Sequence, residues 1–159
     1  MERLLSILRQ EARTPVEQIA KRLGRTVPEV EAQIRQLEKD RVILGYQAIL
    51  NPEKCEDGLV IGIVEVKLTP ERGTGFDAIA ERIYKFTEVK LCYLVSGNYD
   101  LLVILEGRSL KEVAAFVSER LACLEHVSGT TTHFILKKYK DFGVIMSEAE
   151  QVERLAVSP

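Results

Sequence analysis

The segment from residue 14 to residue 44 constrains the fold of this chain more than any other part of it. It contains two short helical patterns separated by a turn around Gly24. Glycine adopts a positive φ at little steric cost, which suits a tight connection between two helices. Each pattern begins with the spacing Thr-x-x-Glu, at Thr14 and at Thr26, which is typical of a capping box at a helix N-terminus. The segment therefore predicts two adjacent helices, each with its own start signal.

Apolar residues of the two helices recur at spacings of three and four, which places them on one face. They are Ile19 and Leu23 in the first helix and Val27, Val30, Ile34 and Leu37 in the second. Ala20 is small where two crossing helices come closest, and an apolar face on a preceding helix, about residues 2–11, can pack against the same seam. This arrangement is typical of a helix-turn-helix, whose second helix is left free to enter a DNA major groove.

The polar face of the second helix is the candidate DNA-reading surface. Gln33 and Gln36 combine donor and acceptor groups that can read adenine in the major groove. Glu29 is repelled by phosphate but can accept a hydrogen bond from cytosine N4, and Ala32 completes the exposed face. Phosphate contacts, which position a helix without reading sequence, are expected from Lys21, Arg22, Arg25, Thr26 and Arg35. The alternative is that these polar residues form only a solvated helix face.

The charge balance limits what kind of DNA binding the chain can have. Its net charge of −2 argues against a dominant non-specific nucleic-acid binder. Residues 1–50 carry nine Lys or Arg and seven Asp or Glu, so the acidic excess lies in the remainder.

Apolar runs fall well short of the roughly 20 residues of a membrane span, and the N-terminus lacks signal-peptide features, so we expect a cytoplasmic protein with no membrane partner. Cys55, Cys92 and Cys123 are too far apart for a metal motif.

The remainder of the chain alternates between strand and helix patterns. Residues 42–50 are rich in β-formers and predict a strand that closes a first domain, 1–50, before a linker at 51–58. The predicted order in the second domain, 59–140, is then β-α-β-β-α-β. The strands are expected at 59–68, 89–95, 99–106 and 126–139, and the helices begin at Phe76 and at the capping box Ser109-x-x-Glu112. The tail, 141–159, can add a short strand at 143–146 and a weak helix from Ser147.

This element order is that of the ferredoxin-like split motif. Its sheet leaves one face uncovered by its own helices. An apolar face in that position needs a partner, so dimerisation is the natural completion of the fold.

Five segments carry a family resemblance that covers nearly the whole chain. They are IAKRLG (19–24), the V-x-x-x-I-x-x-L pattern (30–37), RVILGYQAIL (41–50), SGNYDLLV (96–103) and TTHFILKKYK (131–140). Their order and spacing resemble the Lrp/AsnC family of bacterial and archaeal transcription regulators. The resemblance implies an α+β fold, with an N-terminal winged helix-turn-helix and a C-terminal ferredoxin-like βαββαβ domain of the RAM type. It also implies a homo-oligomer, built from dimers that stack into tetramers, octamers or larger rings, and an amino acid or similar small effector.

The resemblance places the effector site at a junction between subunits. In similar proteins the hairpin before the third strand and the segment before the last strand face the effector, and the matching residues here are Gly97, Tyr99, Asp100, Ser128, Gly129, Thr130 and Thr132. The Asp100 carboxylate can pair with an ammonium group, while hydroxyl and N–H groups near the last strand can hold a carboxylate. Such a site suits a zwitterion. The alternative is a plain turn, in which Gly97 supplies a positive φ.

Three functions remain open at this point. The leading hypothesis is a sequence-specific, effector-responsive transcription regulator that binds double-stranded DNA. A second is a ligand-binding oligomerisation module with weak or lost DNA binding, since Glu29 and Glu31 are acidic on the reading helix. A third is an enzyme similar to the sirohaem decarboxylases, although the histidines here, His126 and His133, both lie around the last strand. The sequence shows neither a Ser/His/Asp set nor a metal motif, so we expect no catalytic residue, no cofactor and no metal.

Overall fold

The computed structural model describes residues 1–52, 54–55, 58–69 and 75–146. The chain divides into two compact units, of which the first spans Met1–Ile49 and the second begins at Leu50. Within the described ranges, every helix is too short or too polar to cross a membrane.

The first unit contains three helices, α1 (Glu2–Gln10), α2 (Val16–Leu23) and α3 (Val27–Lys39). Their common core confirms the predicted apolar seam and consists of the buried residues Leu4, Ile19, Ala20, Val30 and Leu37. Gly24 connects α2 to α3 in the left-handed conformation, with φ 64° and ψ 36°. The N–H of Arg25 donates to the Ala20 carbonyl oxygen at 3.0 Å, which closes the turn.

One of the two capping boxes predicted in this unit forms. The Glu29 carboxylate accepts hydrogen bonds from the N–H and the hydroxyl of Thr26, both at 2.8 Å. The prediction at Thr14 is wrong. Its hydroxyl is buried and donates to the Glu11 carbonyl oxygen at 2.9 Å, and α2 begins at Val16 without a side-chain cap. The Thr14 hydroxyl therefore satisfies a backbone carbonyl at the end of α1, and it does not cap the start of α2.

The strand predicted at residues 42–50 is also not formed. Residues 44–50 have no regular secondary structure, and the large apolar side chains of Leu44, Tyr46 and Leu50 are exposed. A strand exists only when a neighbouring strand accepts and donates its backbone hydrogen bonds. The residue types favour an extended backbone here, but they do not supply that neighbour.

The second unit has the predicted order of strands and helices. They are β1 (Val60–Leu68), α4 (Asp77–Tyr84), β2 (Val89–Leu94), β3 (Leu101–Gly107), α5 (Leu110–Phe116) with a π-helical turn (Val117–Leu121), and β4 (Val127–Phe134). A short ribbon, β5 (Lys140–Asp141) and β6 (Val144–Ile145), follows. The four main strands form an antiparallel sheet in the order β2-β3-β1-β4, which confirms the ferredoxin-like prediction.

Alternate residues of the sheet face the helices and form the core of this unit. The buried residues are Val64, Val66, Leu68, Leu101, Val103 and Leu105 from the strands and Ile79, Ile83, Val113, Phe116, Val117 and Leu121 from the helical segments. The intervening residues point to the opposite side. We call this side the open face and define it by Ile61, Ile63 and Glu65 of β1, Leu91 and Tyr93 of β2, Leu102 and Ile104 of β3, and Gly129, Thr131 and His133 of β4.

The last long strand is shorter than predicted, because β4 ends at Phe134 and not at residue 139. Its partner β1 begins at Val60, and the N–H of Ile135 makes the final bond of the pair to the Ile61 carbonyl oxygen at 3.0 Å. Beyond that point β1 offers β4 no further partner. The predicted strand at 143–146 is present as β6 at Val144–Ile145, while the helix predicted from Ser147 lies outside the described residues.

Val113 of α5 packs against two glycines of the sheet. A Cβ added at Gly62 or at Gly107 would lie 2.8 Å from a methyl carbon of Val113. We therefore expect Gly107→Ala to lower the free energy of unfolding by about 1–3 kcal/mol, measured by denaturant unfolding. Gly97→Ala is the control, because a Cβ at Gly97 would meet no atom within 4 Å. Adding Val113→Ala to Gly107→Ala should recover part of the loss, and strictly additive losses would contradict the contact.

Candidate DNA-binding surface and effector site

The predicted DNA contacts lie at the end of α2, in the turn and along the outward side of α3. They are Lys21, Arg22, Arg25, Thr26, Glu29, Ala32, Gln33, Arg35 and Gln36, and all are exposed except Gln33, which is half-buried. This side of α3 points outward because Val30 and Leu37 are buried in the core of the unit. The structure therefore leaves eight of the predicted residues exposed and Gln33 partly accessible.

Glu29 uses its carboxylate to cap α3. The two hydrogen bonds from Thr26, with a smaller contribution from the positive charge of Arg25, hold the pKa of the Glu29 carboxyl below its usual range. Both bonds reach the same oxygen, Oε2, so the carboxylate is turned toward the start of its own helix. Glu29 therefore has a structural role as the cap of α3. The sequence alone was compatible with both capping and base reading.

The cap makes the stability of the first unit depend on pH. A carboxyl whose pKa is lowered by folding stabilises the folded state above its ordinary pKa, and this contribution is lost as pH falls through the lowered value. We expect Glu29→Gln to lower the melting temperature at pH 7 and the difference from wild type to vanish in acid. Glu17→Gln, at the position where no side-chain cap forms, should have a smaller effect at pH 7. Thermal unfolding between pH 7 and pH 3 tests this, and a pH-independent difference would contradict it.

The polar residues of α3 are partly engaged with one another. Arg25 Nη1 donates to Gln33 Oε1 at 2.5 Å, and Gln36 Nε2 donates to Asp40 Oδ1 at 2.8 Å. Neither bond was predicted from the sequence. The second has the i,i+4 spacing of neighbours on a helix, so it was available from the sequence. The Arg25–Gln33 bond joins the turn before α3 to a residue eight positions later, and no regular helical spacing predicts such a bond.

The predicted effector residues gather around an irregularity in β1. The pairing of β1 with β4 shifts register between Lys67 and Leu68. From the β3 side, Asp100 Oδ2 accepts a hydrogen bond from the Leu68 N–H at 2.7 Å. From the β4 side, the Ser128 hydroxyl donates to the Lys67 carbonyl oxygen at 3.1 Å. Asp100 and Ser128 therefore hold the β1 backbone in place, a role that the sequence analysis did not predict.

The other effector candidates do not all share one side of the sheet. Thr130 pairs with Val66 and Thr132 with Val64, which places both threonines on the side of the helices. Gly129 is exposed and lies on the open face. Gly97 and Tyr99 belong to the hairpin between β2 and β3, where Gly97 is exposed and Tyr99 is half-buried. Within one chain, the predicted effector residues are therefore divided between the hairpin and the two sides of β4.

Gly97 and Gly129 have open space around them. A Cβ at either position would meet no atom within 4 Å, and neither glycine has a positive φ. The alternative interpretation of Gly97, in which it supplies a positive φ to the turn, is therefore wrong. Packing and backbone geometry within the described part of the chain do not require glycine at these two positions.

His133 lies on the open face, where its Nε2 is 3.3 Å from Glu65 Oε1. His126 precedes β4 in the left-handed conformation, with φ 69°. Among the residues that the structure describes, His, Cys, Asp and Glu side chains do not form a group of three that could hold a metal ion.

Two protein families match the chain over most of its length. Residues 2–43 match the winged helix-turn-helix DNA-binding family, and residues 61–145 match the Lrp/AsnC ligand binding domain. The uncharacterized HTH-type transcriptional regulator YugG of Bacillus subtilis is 47% identical over 98% of this chain and 95% of its own length. The chain belongs to the Lrp/AsnC family.

Other Lrp/AsnC proteins are similar over most of the chain. The HTH-type transcriptional regulator LrpA of Pyrococcus horikoshii is 31% identical, over 86% of this chain and 94% of its own length. Among solved structures, the feast or famine regulatory protein of M. tuberculosis complexed with L-methionine is 25% identical with a TM-score of 0.70. The similarity covers 88% of this chain and 92% of that one.

The protein is therefore a DNA-binding transcriptional regulator of the Lrp/AsnC type with a ligand-binding domain. Its fold is the predicted α+β combination of a winged helix-turn-helix and a second α+β domain. Lrp/AsnC proteins are regulators and not enzymes, which decides against the decarboxylase hypothesis.

Proposed function

We propose that this Lrp/AsnC regulator recognises a specific duplex sequence through α3 and changes its assembly when an amino acid binds to its second unit. The observation that supports DNA reading most directly is the orientation of α3. Its apolar residues Val30 and Leu37 are buried, while Gln36 and the flanking cations are exposed. A helix held by one face and polar on the other is the geometry that enters a major groove.

Glu29 and Glu31 both have partners within the first unit. Glu29 is engaged in the helix cap by Thr26, and Glu31 lies 3.5 Å from Arg35 in an exposed i,i+4 pair. Exposed pairs of this kind are weak, so Arg35 can leave Glu31 for a phosphate at little cost. This favours DNA binding over the alternative of an assembly module that has lost it.

A second copy of the chain is the proposed partner of the open face. Six large apolar or aromatic side chains project from it, namely Ile61, Ile63, Leu91, Tyr93, Leu102 and Ile104. Soluble proteins rarely leave a contiguous apolar surface of this kind uncovered, and symmetric pairing of identical faces is the commonest way to bury one. Each dimer would then carry two copies of α3. Dimers would join further into tetramers or octamers in the cytoplasm.

The proposed effector site lies where the hairpin of one copy meets the β4 edge of another. The open space at Gly97 and Gly129 supports this, because it allows another chain or a ligand to approach the backbone. Asp100 has one oxygen bound to the Leu68 N–H, so its other oxygen, Oδ1, remains the acceptor for an ammonium group. The remaining candidates, Tyr99, Ser128, Thr130 and Thr132, would shape the site from both sides. The methionine complex of the M. tuberculosis relative motivates an amino acid as effector.

The test combines solution mass with a DNA shift. The full chain is measured by light scattering with and without each of a panel of amino acids, starting with L-methionine, and then in a gel shift with its own upstream DNA. We expect at least one amino acid to change both the mass and the mobility of the complex. An amino acid that changes the mass while the DNA never shifts would support the alternative, a ligand-binding module with lost DNA binding. A mass insensitive to the whole panel would contradict the amino-acid effector.

A further inference from the structure

The two glutamines of α3 present different groups to a base, because each has half of its amide engaged. The carbonyl oxygen of Gln33 accepts from Arg25, which leaves its Nε2 amino group as the part that can reach outward. The amino group of Gln36 donates to Asp40, which leaves its carbonyl oxygen as the outward acceptor. An unengaged glutamine reads adenine with both halves at once, donating to N7 and accepting from N6. Neither glutamine offers both halves here.

Arg25 is well placed to hold Gln33 in this state. Its backbone is fixed in the turn by the N–H bond to Ala20, immediately before the N-terminus of α3. The bond from its Nη1 to Gln33 Oε1 places the guanidinium beside Gln33 on the outward side of α3. The N-terminal part of a recognition helix is the part that contacts base edges.

We infer that Arg25 determines the base specificity of Gln33. Gln33 alone would read adenine. Together, Arg25 and Gln33 present only hydrogen-bond donors to the base, a donor-only edge that selects guanine. The guanidinium carries five N–H donors and uses one on Gln33, and the Gln33 amino group adds donors beside it. Guanine presents two acceptors in the major groove, N7 and O6, whereas adenine presents an acceptor and a donor. A donor-only edge matches guanine and leaves the adenine amino group without a partner. This inference rests on the proposed DNA-binding function.

The test is a selection of bound duplexes from a randomised double-stranded DNA pool by the full chain. The wild type should enrich guanine at one position of each half-site. Arg25→Gln frees the Gln33 carbonyl, so the preference at that same position should change to adenine, with discrimination shifting by about tenfold in affinity. Gln33→Leu keeps the arginine but removes the amide, and should weaken the preference at that position without installing adenine. Thermal unfolding of each variant confirms that the helices remain folded.

Arg35→Gln is the matched control. It removes one cation from α3, where Arg35 is paired with Glu31 and lies two residues from Gln33, a spacing that does not bring side chains face to face on a helix. It should therefore weaken binding to all sequences alike and keep the guanine preference. The inference is overturned if Arg25→Gln retains the wild-type guanine preference, or if the wild type already selects adenine there. If the wild type enriches no sequence at all, the proposed sequence-specific function fails and this inference falls with it. A wild type that selects a clear sequence unaffected by Arg25 overturns the inference alone.

Discussion

Ile104→Lys should prevent the proposed pairing of two copies through the open face and weaken DNA binding at least about 100-fold. Ile104 lies at the centre of the open face, where it is paired with Ile63 on one side and Leu91 on the other. In a face-to-face pair of sheets, a lysine at this position would bury an ammonium group among aliphatic side chains. Burying an unpaired charge costs more free energy than the remaining apolar contacts of the interface would contribute. The dimer would therefore separate, and each α3 would bind DNA alone.

Light scattering and a DNA titration of the same preparation measure both effects. Leu110→Lys is the matched control, because it replaces an exposed apolar residue by the same lysine on the helical side of the unit. We expect Leu110→Lys to keep the wild-type mass. An Ile104→Lys protein with the wild-type mass would show that the open face is not the surface on which copies pair.

Leu101→Ala should strongly destabilise the second unit. Leu101 is 0% exposed and lies in β3, between its partners Val66 of β1 and Leu94 of β2. Removing its side chain leaves a cavity in a close-packed core, so we expect a loss of about 2–5 kcal/mol in the free energy of unfolding. Denaturant unfolding monitored by circular dichroism measures this loss.

Leu136→Ala provides the control for the same chemical change. Leu136 is 96% exposed, so its truncation removes almost no buried area and should leave the free energy of unfolding within about 0.5 kcal/mol of wild type. Equal losses in the two variants would contradict the core described for this unit.

Local sequence patterns predicted the features that follow from helical spacing, from helix capping or from the alternation of strand and helix segments. The seam through Ile19, Val30 and Leu37 follows from helical spacing, and the cap at Thr26 follows from its position relative to Glu29. The strand order of the second unit follows from the alternation of strand and helix patterns, because few chain paths accommodate that alternation. The seam and the cap depend on residues close together in sequence, whereas the strand order follows from the order of the elements along the chain.

The features that were missed depend on burial or on partners elsewhere in the chain, apart from the Gln36–Asp40 bond, which has a regular helical spacing. Thr14 has the residue types of a helix cap, but burial in the core turned its hydroxyl to Glu11. The segment at 44–50 has strand composition but lacks a paired neighbour in the described chain. The bond from the Leu68 N–H to Asp100, which joins residues 32 positions apart, was not predicted either. Sequence spacing does not report such pairs, so the roles of individual site residues were harder to predict than the fold.

A salt series with the chain's own upstream DNA tests the central proposal most directly. Fluorescence anisotropy of the labelled upstream duplex, titrated with the full wild-type chain, is compared with a scrambled duplex of equal length between 50 and 200 mM salt (about the range over which phosphate contacts weaken most visibly). We predict tighter binding to the upstream duplex at every salt concentration, with the logarithm of affinity falling linearly as the logarithm of salt rises. Equal affinity for both duplexes, or binding that does not respond to salt, would contradict recognition of DNA by the polar side of α3.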